Sequence, residues 1–328
     1  MKVIVTGCYG FIGFNFIQYL REKYKNDIQI IGIDNLNNYY SIKNHKIFSD
    51  IDFVKLNINN INKLDKNFIK NIDGIINFAA ESHVDNSIAS PHKFINSNVS
   101  GLTKLLKFSI DQNIENFLHV STDEVYGSLQ KGFAKETHRL NPSSPYSASK
   151  ASAELLAQAF CKTYGYPVKM VRPANNYGIF QQPEKLVPFS VINLLTGNNI
   201  ELYGDGKYIR HWLSVKDTCS AVETVFLKGK DNEIYNIGSG IYLNNLEISK
   251  KIINILDLEE NRITFVKDRP GHDYRYAVNF EKLKKLGWKN SVKFDAELEN
   301  TVLWYRDNKN WWSRGMKLIL ENRKKRFN

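Results

Sequence analysis

A chain of 328 residues, 42% hydrophobic and 24% charged, can bury one broad core or two unequal ones, and this balance excludes a disordered or fibrous protein. The formal net charge of +11 suits an anionic partner, but much of the excess is scattered lysine, and the one dense run, Arg323-Lys324-Lys325-Arg326, reads as a solvated tail rather than a nucleic-acid arm. Cys8, Cys161 and Cys219 form no CxxC pair and are expected to be buried thiols, so neither a disulfide framework nor a metal site is expected.

In chain order, residues 2–6 read as a strand that runs directly into a glycine turn instead of a secretion signal. No stretch approaches the roughly 18 uninterrupted apolar residues of a membrane span, and a cytoplasmic protein is the expectation. Further strands are expected at 29–34, 52–56, 74–78, 116–121 and 168–172, with amphipathic segments such as 11–23, 91–112 and 146–164 between them. This alternation predicts an α/β doubly wound parallel sheet of the Rossmann kind, with ligands at the carboxyl ends of its strands. After about Asn175 the elements shorten and turn signals multiply, as in Tyr203-Gly204-Asp205-Gly206 and Gly238-Ser239-Gly240. A smaller C-terminal α/β domain is expected there. The division expected is 1–174 for a dinucleotide, with 212–238 returning to it, and 175–328 mainly for substrate, which would lie between the two.

The turn after the first strand, Thr6-Gly7-Cys8-Tyr9-Gly10-Phe11-Ile12-Gly13, carries glycines at the spacing that lets backbone approach a pyrophosphate and a helix pack close to a sheet. Asp34 follows at the end of the next expected strand, where a carboxylate accepts hydrogen bonds from a ribose diol and repels a 2′-phosphate. NAD is therefore the expected cofactor.

The fifth expected strand ends in Ser121-Thr122-Asp123-Glu124-Val125-Tyr126-Gly127. Two adjacent carboxyls there can divide acid and base work if their surroundings separate their pKa values. A Pro-framed turn then delivers Tyr146 and Lys150, one helical turn apart, and a neighbouring ammonium favours a phenolate base. The spacing alone is uninformative, since Tyr19/Lys23, Tyr39/Lys43, Tyr203/Lys207 and Tyr305/Lys309 share it.

Through TGCYGFIG, FAAESHVDNS, STDEVYG, YSASK, NNYG followed by PEKLVP, YGDG with Arg210, and RPGHD, the sequence resembles the extended short-chain dehydrogenase/reductase family, and within it the dTDP-glucose 4,6-dehydratases. The resemblance covers nearly the whole chain to Trp312. It implies a nucleotide-sugar hydro-lyase in which Tyr146 takes the proton of the sugar 4-hydroxyl, Glu124 removes the C5 proton and Asp123 protonates the departing 6-hydroxyl. Thr122 would bond the 4-oxygen, and Lys150 would hold the nicotinamide ribose. The cofactor set implied adds Phe11, Ile12, Asn57, Ile58 and Ala79 to Gly7, Gly10, Gly13 and Asp34. The substrate set implied is Ser82, Asn175, Lys185, Leu186, Tyr203, Arg210, Asn245, Arg269 and His272. Asn57, Ile179 and His211 depart from the family pattern, standing where Asp, Pro and Asp are usual.

His83 is expected near the cofactor cleft in a supporting role, and Trp304-Tyr305 and Trp311-Trp312 as packing of a final helix. A homodimer through 91–112 and 146–164 is implied by analogy. Two rivals stand beside the dehydratase. One is a nucleotide-sugar epimerase or decarboxylase on the same scaffold, against which Asp123-Glu124 argues; the other is a non-catalytic NAD-sensing or nucleic-acid-binding relative, supported only by the basic tail.

Overall fold

The computed structural model describes residues 1–47, 51–316 and 319; the basic run 323–326 lies outside them. Twelve strands are formed: β1 (Lys2–Thr6), β2 (Gln29–Asp34), β3 (Asp52–Lys55), β4 (Gly74–Asn77), β5 (Phe117–Val120), β6 (Val168–Pro173), β7 (Asn175–Tyr177), β8 (Ile200–Tyr203), β9 (Ile209–Ser214), β10 (Ile234–Ile237), β11 (Ile241–Asn244) and β12 (Ile263–Val266). Seven of them make one parallel sheet in the order β10-β6-β5-β4-β1-β2-β3, which is the doubly wound arrangement expected.

Side chains alternate across this sheet with the two-residue period of a strand. Val3, Val5, Ile76, Leu118 and Val171 enter one apolar layer, while Ile4, Ile75, Phe117 and Met170 enter the other. The first layer is covered by the helices Phe11–Tyr24 and Val215–Lys228, and the second by Gly101–Asp111 and Pro145–Tyr164. Strands buried on both faces are mainly apolar, as these runs are, and the polar side chains they do carry, such as Thr6, Asn77, His119 and Arg172, are hydrogen-bonded.

The remaining strands form a three-stranded sheet, β11-β9-β7, and a two-stranded parallel pair, β12-β8. They stand beyond the carboxyl ends of the large sheet's strands and carry the second wall of the site. β10 lies beside β6, Ile234–Ile237 pairing with residues 170–173, so the chain leaves the large sheet at Pro173 and comes back to it sixty residues later. Cys8 and Cys219 are buried, as expected, whereas Cys161 is half-exposed on the outer turn of its helix. No helix among the described residues is long and apolar enough to cross a membrane.

One element differs from expectation. Residues 91–112 are not one regular helix: Pro91–Phe94 and Gly101–Asp111 flank a wider π-helical stretch, Ile95–Ser100. That widening turns Asn98 inward, where it accepts from the Glu81 N–H at 2.8 Å and donates to the Glu81 carbonyl at 3.0 Å and to Ser149 Oγ at 2.8 Å.

Candidate active site

A single cavity of about 880 Å³ runs across the carboxyl ends of β1, β2, β4, β5 and β6. Its floor begins at the glycine turn. Gly7 has φ +67°, and a Cβ there would lie 2.6 Å from the Ala79 nitrogen, while a Cβ on Gly13 would lie 2.2 Å from the Gly7 carbonyl oxygen. Only glycine fits either place. The helix Phe11–Tyr24 begins at Gly10 with no side-chain cap, so its first N–H groups face the cavity as an anion site.

Asp34 closes the same end, its carboxylate accepting from the Tyr9 N–H at 3.0 Å and the Leu36 N–H at 2.8 Å. Burial pushes its carboxyl up, against the pull of those two N–H groups and His45. Asn57 and Ile58 line the wall beside it, and Ala79 packs on Gly7. A cradle that a methyl group would fill, a bare helix N-terminus and a buried carboxylate together fit a dinucleotide.

At the centre, Thr122, Glu124, Tyr146 and Lys150 reach the cavity, and Asp123 lies one layer behind them with 1% of its surface exposed. Thr122 Oγ1 accepts from the Glu124 N–H at 3.3 Å and lies 3.5 Å from Asp123 Oδ1. Asp123 Oδ2 has no partner among the described residues. Burial first, then Glu124, hold the Asp123 carboxyl well above its ordinary value, against Arg210. Its surroundings thus favour the protonated form. Glu124 is raised as well, by burial, but Lys185, Arg269 and Arg210 all draw it back towards the carboxylate. Two neighbouring carboxyls with unequal surroundings are the arrangement that separates an acid from a base.

Beneath them runs a buried polar chain. Asn77 Oδ1 accepts from Thr6 Oγ1 at 2.6 Å and from the Ala79 N–H at 3.2 Å, which leaves the Asn77 amide nitrogen facing His119 Nδ1 at 3.0 Å. His119 Nδ1 must then accept, so this hydrogen-bond pattern assigns the ring proton to Nε2, 3.5 Å from Lys150 Nζ. Burial, then the Lys150 charge, hold His119 well below the ordinary imidazole value, which keeps it neutral. Lys150 Nζ donates to the Val120 carbonyl at 2.7 Å, and burial, partly offset by Glu154, pushes its pKa down to about 8.

The sequence expects Lys150 to draw the Tyr146 phenol down. In the structure burial and then Glu124 push Tyr146 up, opposed by its hydrogen bond with Thr122, because the Lys150 amine is turned to Val120 and His119.

The far wall gathers Ser82, Asn175, Lys185, Leu186, Tyr203, Arg210, Asn245, Arg269 and His272. Lys185 Nζ donates to the Ser82 carbonyl at 2.7 Å, and Leu186 opens the helix Leu186–Leu195. The Arg210 guanidinium lies over the Tyr276 ring at 4.6 Å. His272 stacks on Tyr208 at 3.7 Å and bonds Asp268 at 2.8 Å, and burial pushes its pKa down to about 4. Asn175 Oδ1, Asn245 Oδ1 and Arg269 Nε are buried without a partner among the described residues, and all three residues line the cavity. Such unpaired groups cost stability unless a ligand meets them.

Several residues were not singled out by sequence. Asp85 accepts from Tyr203 Oη at 3.0 Å and from Arg269 Nη1 at 3.1 Å, tying the short helix Val84–Ala89 to two distant segments. Burial works to raise its carboxyl, but His83, Arg269 and Tyr203 prevail and hold it below its ordinary value. Its signal was a carboxylate in an otherwise uncharged stretch, Val84-Asp85-Asn86-Ser87, in the first turn of a short helix. His119 had one too, as a lone polar side chain in an apolar strand. Tyr276 had none; its hydroxyl donates to Asp273 Oδ2 at 2.7 Å. His83 caps the short helix Val84–Ala89, and His211 accepts from the Ser239 and Gly240 N–H groups, each at 2.9 Å.

The family model described as GDP-mannose 4,6 dehydratase matches residues 4–301. A low-salt glycan biosynthesis protein of Haloferax volcanii is 40% identical over 312 residues, 93% of this chain and 98% of that protein. A dTDP-glucose 4,6-dehydratase of Streptomyces niveus is 38% identical over 319 residues, 95% of each chain. The solved dTDP-glucose 4,6-dehydratase of Streptomyces venezuelae, a double mutant with NAD and a second ligand bound, superposes with a TM-score of 0.91 at 38% identity over 96% of this chain and 100% of that one.

Proposed function

Since the chain belongs to the GDP-mannose 4,6 dehydratase family, a group of extended short-chain dehydrogenase/reductase enzymes, we propose that it is an NAD-dependent hydro-lyase that converts a nucleoside-diphosphate glucose to the 4-keto-6-deoxy sugar. The observation that carries the proposal is the Asp123–Glu124 pair at the end of β5, one carboxyl strongly raised and with its Oδ2 unpartnered among the described residues, the other drawn back by three cations. An epimerisation at C4 has no use for that pair.

The glycine turn, Asp34, Asn57, Ile58 and Ala79 would hold NAD, which when bound takes a hydride from sugar C4 and returns it to C6 within one turnover. Tyr146, beside Thr122, would act as a phenolate that takes the proton of the 4-hydroxyl and becomes neutral, and Lys150 would hold the nicotinamide ribose. With C4 a ketone, the C5 proton is acidic. Glu124 removes it, and Asp123 protonates the leaving 6-hydroxyl once its side chain swings towards the cavity. Arg210, Arg269 and Lys185 neutralise the pyrophosphate, and Tyr203 offers a ring to the base.

Residues 1–174 with 212–238 would form the dinucleotide half and the rest of 175–328 the substrate half, a division supported by the pairing of Ile234–Ile237 beside β6. A homodimer is part of the proposal: Ile95, Leu155 and Tyr164, on the two packed elements 95–100 and 145–164, are exposed apolar surface that a second copy would cover. A cytoplasmic location is also part of the proposal.

The test is mass spectrometry of the product after incubation with dTDP-glucose and, separately, UDP-glucose. The expected outcome is loss of one water from at least one of them, with turnover lowered by about 10²–10⁴-fold in Glu124→Gln and in Asp123→Asn. Product of unchanged mass from NAD-loaded protein would overturn the proposal in favour of an epimerase.

A further inference from the structure

The C-terminal tryptophans are tied to the cofactor wall by more than apolar packing. Trp311 Nε1 donates to Asn44 Oδ1 at 3.0 Å, and Asn44 Nδ2 donates to the Tyr9 carbonyl at 3.0 Å. The other side of residue 9, its N–H, is held by Asp34 Oδ2 at 3.0 Å. Both backbone polar groups of Tyr9 are therefore fixed within the glycine turn, and Trp311, Asn44, Tyr9 and Asp34 are all buried.

An indole N–H only donates and a carbonyl only accepts, so the Asn44 amide has one orientation that satisfies both ends. Nor has the helix room to slide: a Cβ on Gly315 would lie 2.4 Å from the Tyr40 hydroxyl. Gly315 and Ile319 themselves line the cavity, next to Tyr39 and Tyr40.

We propose that Trp311 is a positioning residue for the dinucleotide, acting through Asn44 on the Tyr9 peptide and the Asp34 carboxylate, so that the C-terminal helix sets how long NAD stays bound. This rests on the reading of the cavity as an NAD site. A cofactor regenerated in every turnover has no need to leave, and a turn clamped from behind has less conformational freedom to lose on binding its ligand than one that must be frozen each time.

The experiment loads the full chain with radiolabelled NAD and follows its loss during a chase with unlabelled NAD. Trp311→Phe keeps the ring and removes the N–H; it is expected to release label about tenfold faster, the scale set by a buried acceptor left without its donor. Asn44→Ala breaks the relay from the other end and is expected to match it, with the double variant no faster than either single one. Trp312→Phe is the control, because its indole donates at 2.7 Å to the Tyr305 carbonyl on the same C-terminal stretch and not to the turn. Its release is expected at the parental rate. Parental release in Trp311→Phe and Asn44→Ala, or equal acceleration in Trp312→Phe, would overturn the relay. A parent protein that binds no NAD at all would overturn the cofactor reading instead, and the relay with it.

Discussion

The wall of the cavity that runs from Gly7 to Ala79 is made largely of backbone, whereas the wall that runs from Ser82 to His272 is made of side chains. In the first, space is the constraint: Gly7 and Gly13 sit where no Cβ fits, and N–H groups and one carboxylate supply the polarity. In the second, Arg269, Tyr203 and Lys185 arrive from separate loops and are set by one another and by Asp85 and Ser82. A wall built from backbone tolerates no added atom. A wall built from side chains loses affinity piece by piece.

Gly13→Ala is the sharpest way to break this contrast. With the Gly7 backbone oxygen 2.2 Å from the new Cβ, the turn must move, and loss of bound NAD together with a destabilisation of about 1–3 kcal/mol is expected by denaturant titration. Arg269→Ala probes the other wall. Removal of one charged donor is expected to weaken binding of the nucleoside diphosphate by about 10–100-fold in calorimetry, with NAD retention unchanged. If the glycine variant kept its NAD, or the arginine variant lost it, the two walls would not be separable.

A smaller effect concerns the seam between them. Lys150 has its pKa pushed down to about 8 from 10.5, so the unfolded chain binds more protons than the folded one between those values. Stability contributed at this site therefore rises with pH across that window and is lowest below it. Lys150→Met is expected to abolish turnover and to flatten that rise, as read from urea midpoints at pH 7, 8, 9 and 10 relative to the parent.

The contrast between the walls also explains what could be read from the sequence. β1 and β2 fall at the expected residues 2–6 and 29–34, and the glycine turn and Asp34 follow from them, because that wall is contiguous and its constraints are local. Asp123, Glu124, Tyr146 and Lys150 were legible as motifs at a strand end and a helix start. Asp85 with Arg269 and Tyr203, and Asn44 with Trp311, were not, since each is a contact between segments more than a hundred residues apart. The π-helical stretch Ile95–Ser100 escaped for another reason: its widening leaves the apolar pattern of a helix intact, and only the inward Asn98 betrays it.

The place of β10 at the edge of the large sheet, beside β6, has a consequence for how the molecule can be assembled or altered. A chain cut after residue 174 would leave β6, buried along its whole length in the intact chain, as an unpaired edge open to aggregation, and would lack the Val215–Lys228 helix that roofs one face. The large sheet is thus not a unit that synthesis completes first and sets aside; it waits for residues 175–233 to be made before its last strand arrives. Replacing the segment between β6 and β10 accordingly requires two junctions, one on each side of the excursion, and the large sheet and that segment are expected to unfold in a single transition.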